Sequence, residues 1–123
     1  MVARADDVVW RVQSNYGKIL DARVYGKELY SAPEWKDANE DPPLPRKVAI
    51  EKAMTYAKTF NVDKYWVEVG DITLKRLHLA YYVYVVEIRF RPGKANFGGF
   101  YPTLNVVVLM NGKVVQFCDE HDP

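Results

Sequence analysis

The stretch YYVYVVEIRFR, residues 81–91, decides the fold, because it is the strongest strand signal in the chain. Every second side chain is apolar, which predicts a core face made of Tyr82, Tyr84, Val86, Ile88 and Phe90. The other face begins apolar and ends charged, at Glu87, Arg89 and Arg91. We therefore expect a central strand with one face fully covered and the other covered only in part.

The element expected to cover that face is a helix over residues 46–60. Its apolar residues follow the helical spacing i, i+3, i+4, i+7 and i+10: Ile50, Ala53, Met54, Ala57 and Phe60. The small alanines allow close packing on a sheet. Pro45 suits the first position of such a helix.

Residues 65–77 predict a second strand, which alternates in two different phases. The phase changes at Gly70 and Asp71, where one extra residue would restore a common face. We therefore predict a β-bulge at this dipeptide.

Asn111 and Gly112 form the strongest hairpin signal, between apolar runs at 104–110 and 113–117. A two-residue turn would pair Val108 with Val115 and Val106 with Phe117.

The predicted fold is α+β, with one helix packed on an antiparallel sheet of about four strands and an N-terminal β-ribbon. The 123 residues are expected to form a single domain. Residues 1–30 are the extended ribbon, 31–45 a proline-rich linker, 46–117 the helix and meander, and 118–123 an acidic tail.

Composition excludes several classes of protein. A net charge of +1, from 17 basic and 16 acidic residues, argues against a nucleic-acid partner. No apolar run is long enough to span a membrane. The triplet at residues 3–5, Ala-Arg-Ala, is similar to the end of a signal peptide, so we expect a periplasmic or extracellular protein and otherwise a cytoplasmic one.

No catalytic, cofactor or metal residue is predicted, and we expect that the chain is not an enzyme. Cys118 and His121 could form a dyad, or the tail could bind a metal, but a solvated tail is the favoured interpretation. Glu68 and Glu87 could act as acid and base, yet a cross-strand salt bridge suits them better.

The loop at 92–102 is the strongest functional candidate, because it holds Phe97, Phe100 and Tyr101 among glycines. These aromatics and Trp35 form the predicted binding surface. Two alternatives stay open: the loop could instead fold back over the second face of the sheet, and Trp35 could simply anchor the linker to the body.

The order of elements resembles PepSY-type domains. The resemblance rests on Ala49, Ala53 and Ala57 in the helix, on Trp66, on residues 81–86 and on residues 111–114, and it covers residues 42–117. Uncharacterised exported bacterial proteins with a Pro-Pro-Leu sequence, here residues 42–44, before such a helix are also similar. The resemblance implies an exported domain that binds peptides or restrains proteases. Cystatin-like folds share the plan, but their Q-x-V-x-G hairpin is missing.

Two functions are compatible with these features. The first is a non-enzymatic binding or regulatory module that engages a peptide or protein through the aromatic loop or a sheet edge. The second is an NTF2-like small-molecule pocket, or a degenerate enzyme, lined by Tyr65, Tyr82 and Tyr84. A homodimer formed through the half-apolar second face of residues 81–91 is a further possibility.

Overall fold

The computed structural model describes residues 7–16, 18–60, 65–92 and 102–119. In chain order the elements are β1 (Val8–Asn15), β2 (Ile19–Tyr25), α1 (Gly26–Leu29), α2 (Arg46–Ala57), β3 (Tyr65–His78), β4 (Tyr81–Pro92), β5 (Thr103–Leu109) and β6 (Phe117–Asp119). All six strands belong to one antiparallel sheet with the order β3-β4-β5-β1-β2-β6.

The prediction of one helix on about four strands is therefore wrong. The structure is mostly sheet, with six strands and two short helices. The difference arises because the N-terminal ribbon continues the sheet as β1 and β2. Asn15 of β1 pairs with Thr103 of β5, and the chain after the last hairpin pairs with β2 as β6.

The predicted helix begins at Arg46, as expected, and ends at Ala57 rather than at residue 60. Ala49, Ala53 and Ala57 are fully buried, and α2 packs across β4 and β5. The expected close packing of the small alanines is confirmed for Ala53 and Ala57, whereas Ile50, Met54 and Phe60 of the predicted stripe are only partly buried. No helix among the described residues is long and apolar enough to cross a membrane.

The predicted core face of β4 is confirmed at Tyr84, Val86, Ile88 and Phe90, which are buried on the helix side. Its fifth residue, Tyr82, is only partly buried. The opposite face is buried as well at one end. Val83 of β4, and Val107 and Leu109 of β5, are fully inaccessible to solvent. Tyr30, which follows α1, packs its ring on Tyr81 at 5.0 Å.

The β-bulge is confirmed, because the register between β3 and β4 shifts between Val69 and Ile72. The hairpin turn is confirmed at Asn111 and Gly112, but its predicted register is wrong. Val108 pairs with Val114 instead of Val115.

The cause lies in the turn. Gly112 adopts a φ of +86° and donates its N–H to the Leu109 carbonyl, while the Leu109 N–H bonds to the Lys113 carbonyl. This is a three-residue loop that ends in a left-handed glycine, and it holds one residue more than the predicted turn.

Candidate functional site

The structure locates only one of the predicted site residues. Phe97, Phe100 and Tyr101 lie outside the described residues. Trp35 packs edge-on against Tyr82 at 5.0 Å and donates its indole N–H to the Glu40 carbonyl at 3.0 Å. Its backbone N–H bonds to the Ala80 carbonyl. These contacts anchor the linker to the sheet, and a binding role for Trp35 stays a prediction.

The residues considered as acid, base or metal ligands make ordinary structural contacts where the structure describes them. Glu68 forms a cross-strand ion pair with Arg91 at 2.8 Å, and Glu87 pairs with Arg89 on its own strand at 2.6 Å. The salt-bridge interpretation is thus confirmed for Glu68. Cys118 donates its thiol to the Asp21 carbonyl, while His121 lies outside the described residues. Residues 7–16, 18–60, 65–92 and 102–119 contain no cluster of three metal-binding side chains.

One long strand edge lies at the end of the sheet: β3 has 14 residues, and β4 is its only neighbour among the described strands. The direction in which each β3 residue points its backbone N–H and C=O groups can be derived from the hydrogen bonds of its neighbour, β4. The Phe90 N–H donates to the Pro102 carbonyl, so Phe90 points its backbone groups away from β3. Because these directions alternate along an antiparallel strand, Val83 and Val85 point theirs toward β3.

The register then identifies which β3 residues face outward. Lys75 pairs with Val83 and Thr73 with Val85, so these two β3 residues direct their backbone groups inward. Ile72, Leu74 and Arg76 alternate with them and direct their N–H and C=O groups away from the sheet. Within the part of the chain that the structure describes, no strand pairs with this edge. We call residues 71–76 the β3 edge.

A groove lies beside the β3 edge on the helix side of the sheet. Its volume is about 420 Å³, and its lining residues are Asp41, Pro42, Pro45, Arg46, Ile72, Leu74 and Tyr84. The side chains of Ile72 and Leu74 are half-buried, since they share the helix face with their partners on β4. We call this space the proline groove.

Tyr84 is fixed beneath the proline groove. It is 2% exposed, and its hydroxyl donates to the Leu44 carbonyl at 2.7 Å. Burial raises the pKa of this phenol, and Arg46 opposes the rise. Tyr82 packs on Trp35, and the side chain of Tyr65 lies outside the described residues. The Tyr84 hydroxyl, expected to line an enclosed pocket, is therefore already used inside the structure.

The bulge limits the β3 edge at its N-terminal side. Asp71 would lose its backbone partner in the bulge, but its N–H lies 3.4 Å from Glu87 Oε1. A side chain on Gly70 would overlap this same carboxylate oxygen. Glycine at this position leaves room for the ends of Glu87 and Arg89 to lie over the bulge, and a larger residue would displace them.

The charges on the β3 edge are separated along the strand. Asp71 is exposed at one end, and Lys75 and Arg76 are exposed at the other. Ile72 and Leu74 lie between them on the helix face, with Thr73 on the opposite face. The edge therefore presents an acidic end, an apolar centre and a basic end.

Two further features were not predicted from the sequence. Asp21 of β2 is fully buried, with Arg23 at 3.3 Å and Arg11 at 3.6 Å from its Oδ2, while its Oδ1 has no hydrogen-bond partner among the described residues. An aromatic cluster also closes the C-terminal end of α2. It consists of Tyr16, Tyr56, Phe60, Phe90 and Phe117, with ring centroids 5.1 to 5.9 Å apart.

The signals for the β3 edge were partly visible. The sequence contains the strand and the bulge, but the position of β3 at the end of the sheet depends on the order of all six strands.

No family model, no curated protein and no solved structure matches this chain.

Proposed function

We propose that this chain is a non-enzymatic binding module whose β3 edge takes an extended segment of a protein partner as an additional strand. The observation that carries the proposal is the row of outward N–H and C=O groups at Ile72, Leu74 and Arg76. Such a row is a template for strand addition, in which main-chain hydrogen bonds supply affinity.

The proline groove supports the proposal, because it can supply specificity. Alternate side chains of an added strand would project to the helix side of the sheet, next to Ile72 and Leu74. Pro42 and Pro45 line the groove together with Ile72 and Leu74. We therefore expect the partner segment to place one apolar side chain there.

The charged residues around the proline groove indicate which charges the partner segment should carry beside its apolar residue. Arg46 and Asp41 lie at the groove, and Lys75 and Arg76 are exposed on the neighbouring edge. An acidic residue beside the apolar one would meet Arg46, Lys75 or Arg76. The favoured partner is thus an extended segment with an apolar anchor and an adjacent carboxylate.

The test uses short random peptides displayed on phage and selected on the wild-type protein. An enriched peptide is then measured by isothermal titration against wild type, Arg76→Pro and Arg76→Ala. Proline removes an outward N–H, whereas alanine keeps it and removes only the side chain. We expect Arg76→Pro to weaken binding roughly tenfold or more, because the peptide carbonyl loses its donor.

The matched alanine variant decides which group acts. If the backbone N–H is the essential group, Arg76→Ala binds within a few-fold of wild type. Equal losses in both variants would assign binding to the guanidinium instead. If both variants bind as tightly as wild type, the peptide lies elsewhere and the proposal is wrong.

A further inference from the structure

We infer that the β3 edge also pairs with the β3 edge of a second copy of this chain, forming a closed antiparallel dimer that occludes the partner-binding surface. This inference rests on the proposed function, since it concerns a second occupant of the same edge. It is carried by the order of residues 71–75. When this segment lies antiparallel to the same segment of a second copy, hydrogen-bonding groups meet hydrogen-bonding groups, apolar side chains meet apolar ones, and acidic side chains meet basic ones.

Backbone geometry selects the register. Two antiparallel strands form hydrogen bonds only where outward-facing residues oppose each other. Ile72 and Leu74 both face outward, so Ile72 of one copy can oppose Leu74 of the other, and the reverse. This places the two-fold axis between the two copies of Thr73.

The side chains fit this register on both faces of the joined sheet. On the helix side, Ile72 and Leu74 from each copy would form one apolar cluster next to both proline grooves. On the other side, the small Thr73 would meet its own copy, a favourable cross-strand pair. The half-buried Ile72 and Leu74 would thereby lose their remaining exposure to water.

Charge complementarity selects the second copy as the occupant. In this register Asp71 of each copy opposes Lys75 of the other, which gives two symmetric ion pairs at the ends of the contact. A register moved by two residues would place Asp71 opposite Leu77 in one direction or opposite Thr73 in the other, and neither forms these ion pairs. The arrangement is isologous, because one patch meets itself.

The bulge in β3 and the shortness of β6 limit the assembly to two copies. The bulge at Gly70 and Asp71 interrupts the flat part of the strand, so pairing stays confined to a few residues. The opposite end of the sheet is β6, which has only three residues. A two-fold dimer therefore joins the two long edges and leaves a β6 edge of three described residues at each end of the joined sheet.

The test is a charge exchange followed by sedimentation equilibrium over a concentration series. We expect wild type to approach twice the 14.2 kDa mass of one chain. Asp71→Lys would place a lysine opposite Lys75 of the other copy, and Lys75→Asp would place an aspartate opposite Asp71. Each single variant should therefore raise the dimer dissociation constant at least tenfold. The double variant Asp71→Lys/Lys75→Asp restores opposite charges and should return to wild-type behaviour.

Mixing the two single variants supplies an independent readout. Each variant repels itself, but the two together oppose lysine to aspartate at both ends, so the mixture should dimerise. A wild-type dimer whose affinity does not follow this pattern would use another interface, and the inference would be overturned.

The two proposals fail in different ways. A wild type that stays monomeric at every concentration, yet binds the selected peptide through the Arg76 N–H, overturns the dimer and leaves the binding module intact. If the dimer forms through β3, adding that peptide should dissociate it. A dimer that binds the peptide without dissociating would overturn the inference that the two share one edge.

Discussion

Replacing Lys75 by proline should destabilise the fold far more than replacing Arg76, although both residues are exposed and adjacent on β3. Lys75 points its N–H toward β4, where the partner is Val83, and Arg76 points its N–H outward. Both are preceded by extended residues, so the restriction that proline places on its predecessor is satisfied in each case. The comparison therefore isolates one hydrogen bond.

The expected magnitude follows from the burial of Val83. This residue is 0% exposed, so its carbonyl cannot exchange a lost donor for water. An unsatisfied buried acceptor costs about 1–3 kcal/mol, and Lys75→Pro should lower the free energy of unfolding by at least that amount. For Arg76→Pro no ladder bond is lost, and we expect a change within about 0.5–1 kcal/mol.

Urea unfolding followed by circular dichroism measures both changes, with Lys75→Ala and Arg76→Ala as controls for the side chains. At about 4 °C per kcal/mol for a chain of this length, thermal melts should separate the two proline variants by several degrees. Equal destabilisation by both prolines, or greater destabilisation by Arg76→Pro, would refute the assignment of the β3 edge.

Three further predictions concern the bulge, the buried tyrosine and the helix. Gly70→Ala should displace the Glu87 carboxylate from Asp71 and Arg89 and cost about 0.5–1.5 kcal/mol in urea unfolding; an unchanged midpoint would show that the ion pair moves at no cost. Burial raises the pKa of Tyr84 above its unfolded value, so the stability that this phenol contributes should be complete below pH about 10 and fall as the pH rises toward the folded pKa. Between neutral and alkaline pH, the melting temperature should therefore fall less in Tyr84→Phe than in wild type. An identical fall in both proteins would contradict this. Ala53→Leu should overpack the helix–sheet contact and cost about 1–3 kcal/mol, whereas the same change at the exposed Lys47 should be nearly neutral; similar effects at both positions would place α2 incorrectly.

Local periodicity was sufficient to predict the central elements. The alternation in residues 81–91 identified most of the core face of β4. The helical spacing of apolar residues identified α2 and two of its three buried alanines, Ala53 and Ala57, and Pro45 marked its start. The phase shift at Gly70 and Asp71 identified the bulge. Each of these signals depends on residues close together in the chain, so the sequence displays it directly.

The number of strands could not be predicted in the same way. β1 joins the sheet through Asn15 and Thr103, and β6 joins β2 through Phe117 and Ala22. These contacts link distant parts of the chain, and neither segment has a periodic pattern that identifies its neighbour. The hairpin register was missed because Gly112 forms a three-residue loop, although a two-residue loop is compatible with the same dipeptide.

The candidate site shows the same limit. Ile72 and Leu74 were recognised as strand residues, but only the strand order shows that their backbone groups point outward. The contribution of Pro42 and Pro45 to a groove beside that edge depends on the path of the linker across the sheet. The roles predicted for Phe97, Phe100 and Tyr101 concern residues outside the described ranges and stay predictions, as does the resemblance to PepSY-type domains.

The central claim is that the outer edge of β3, with which no other described strand pairs, is open to a partner, and hydrogen exchange of individual backbone amides tests it most directly. The measurement is made by NMR on Asp71→Lys, which should be monomeric, so that a second copy does not protect the edge. We predict alternation along the strand, with fast exchange at Ile72, Leu74 and Arg76 and slow exchange at Thr73 and Lys75. Slow exchange at all five amides would show that another segment covers the edge, and the account would be wrong.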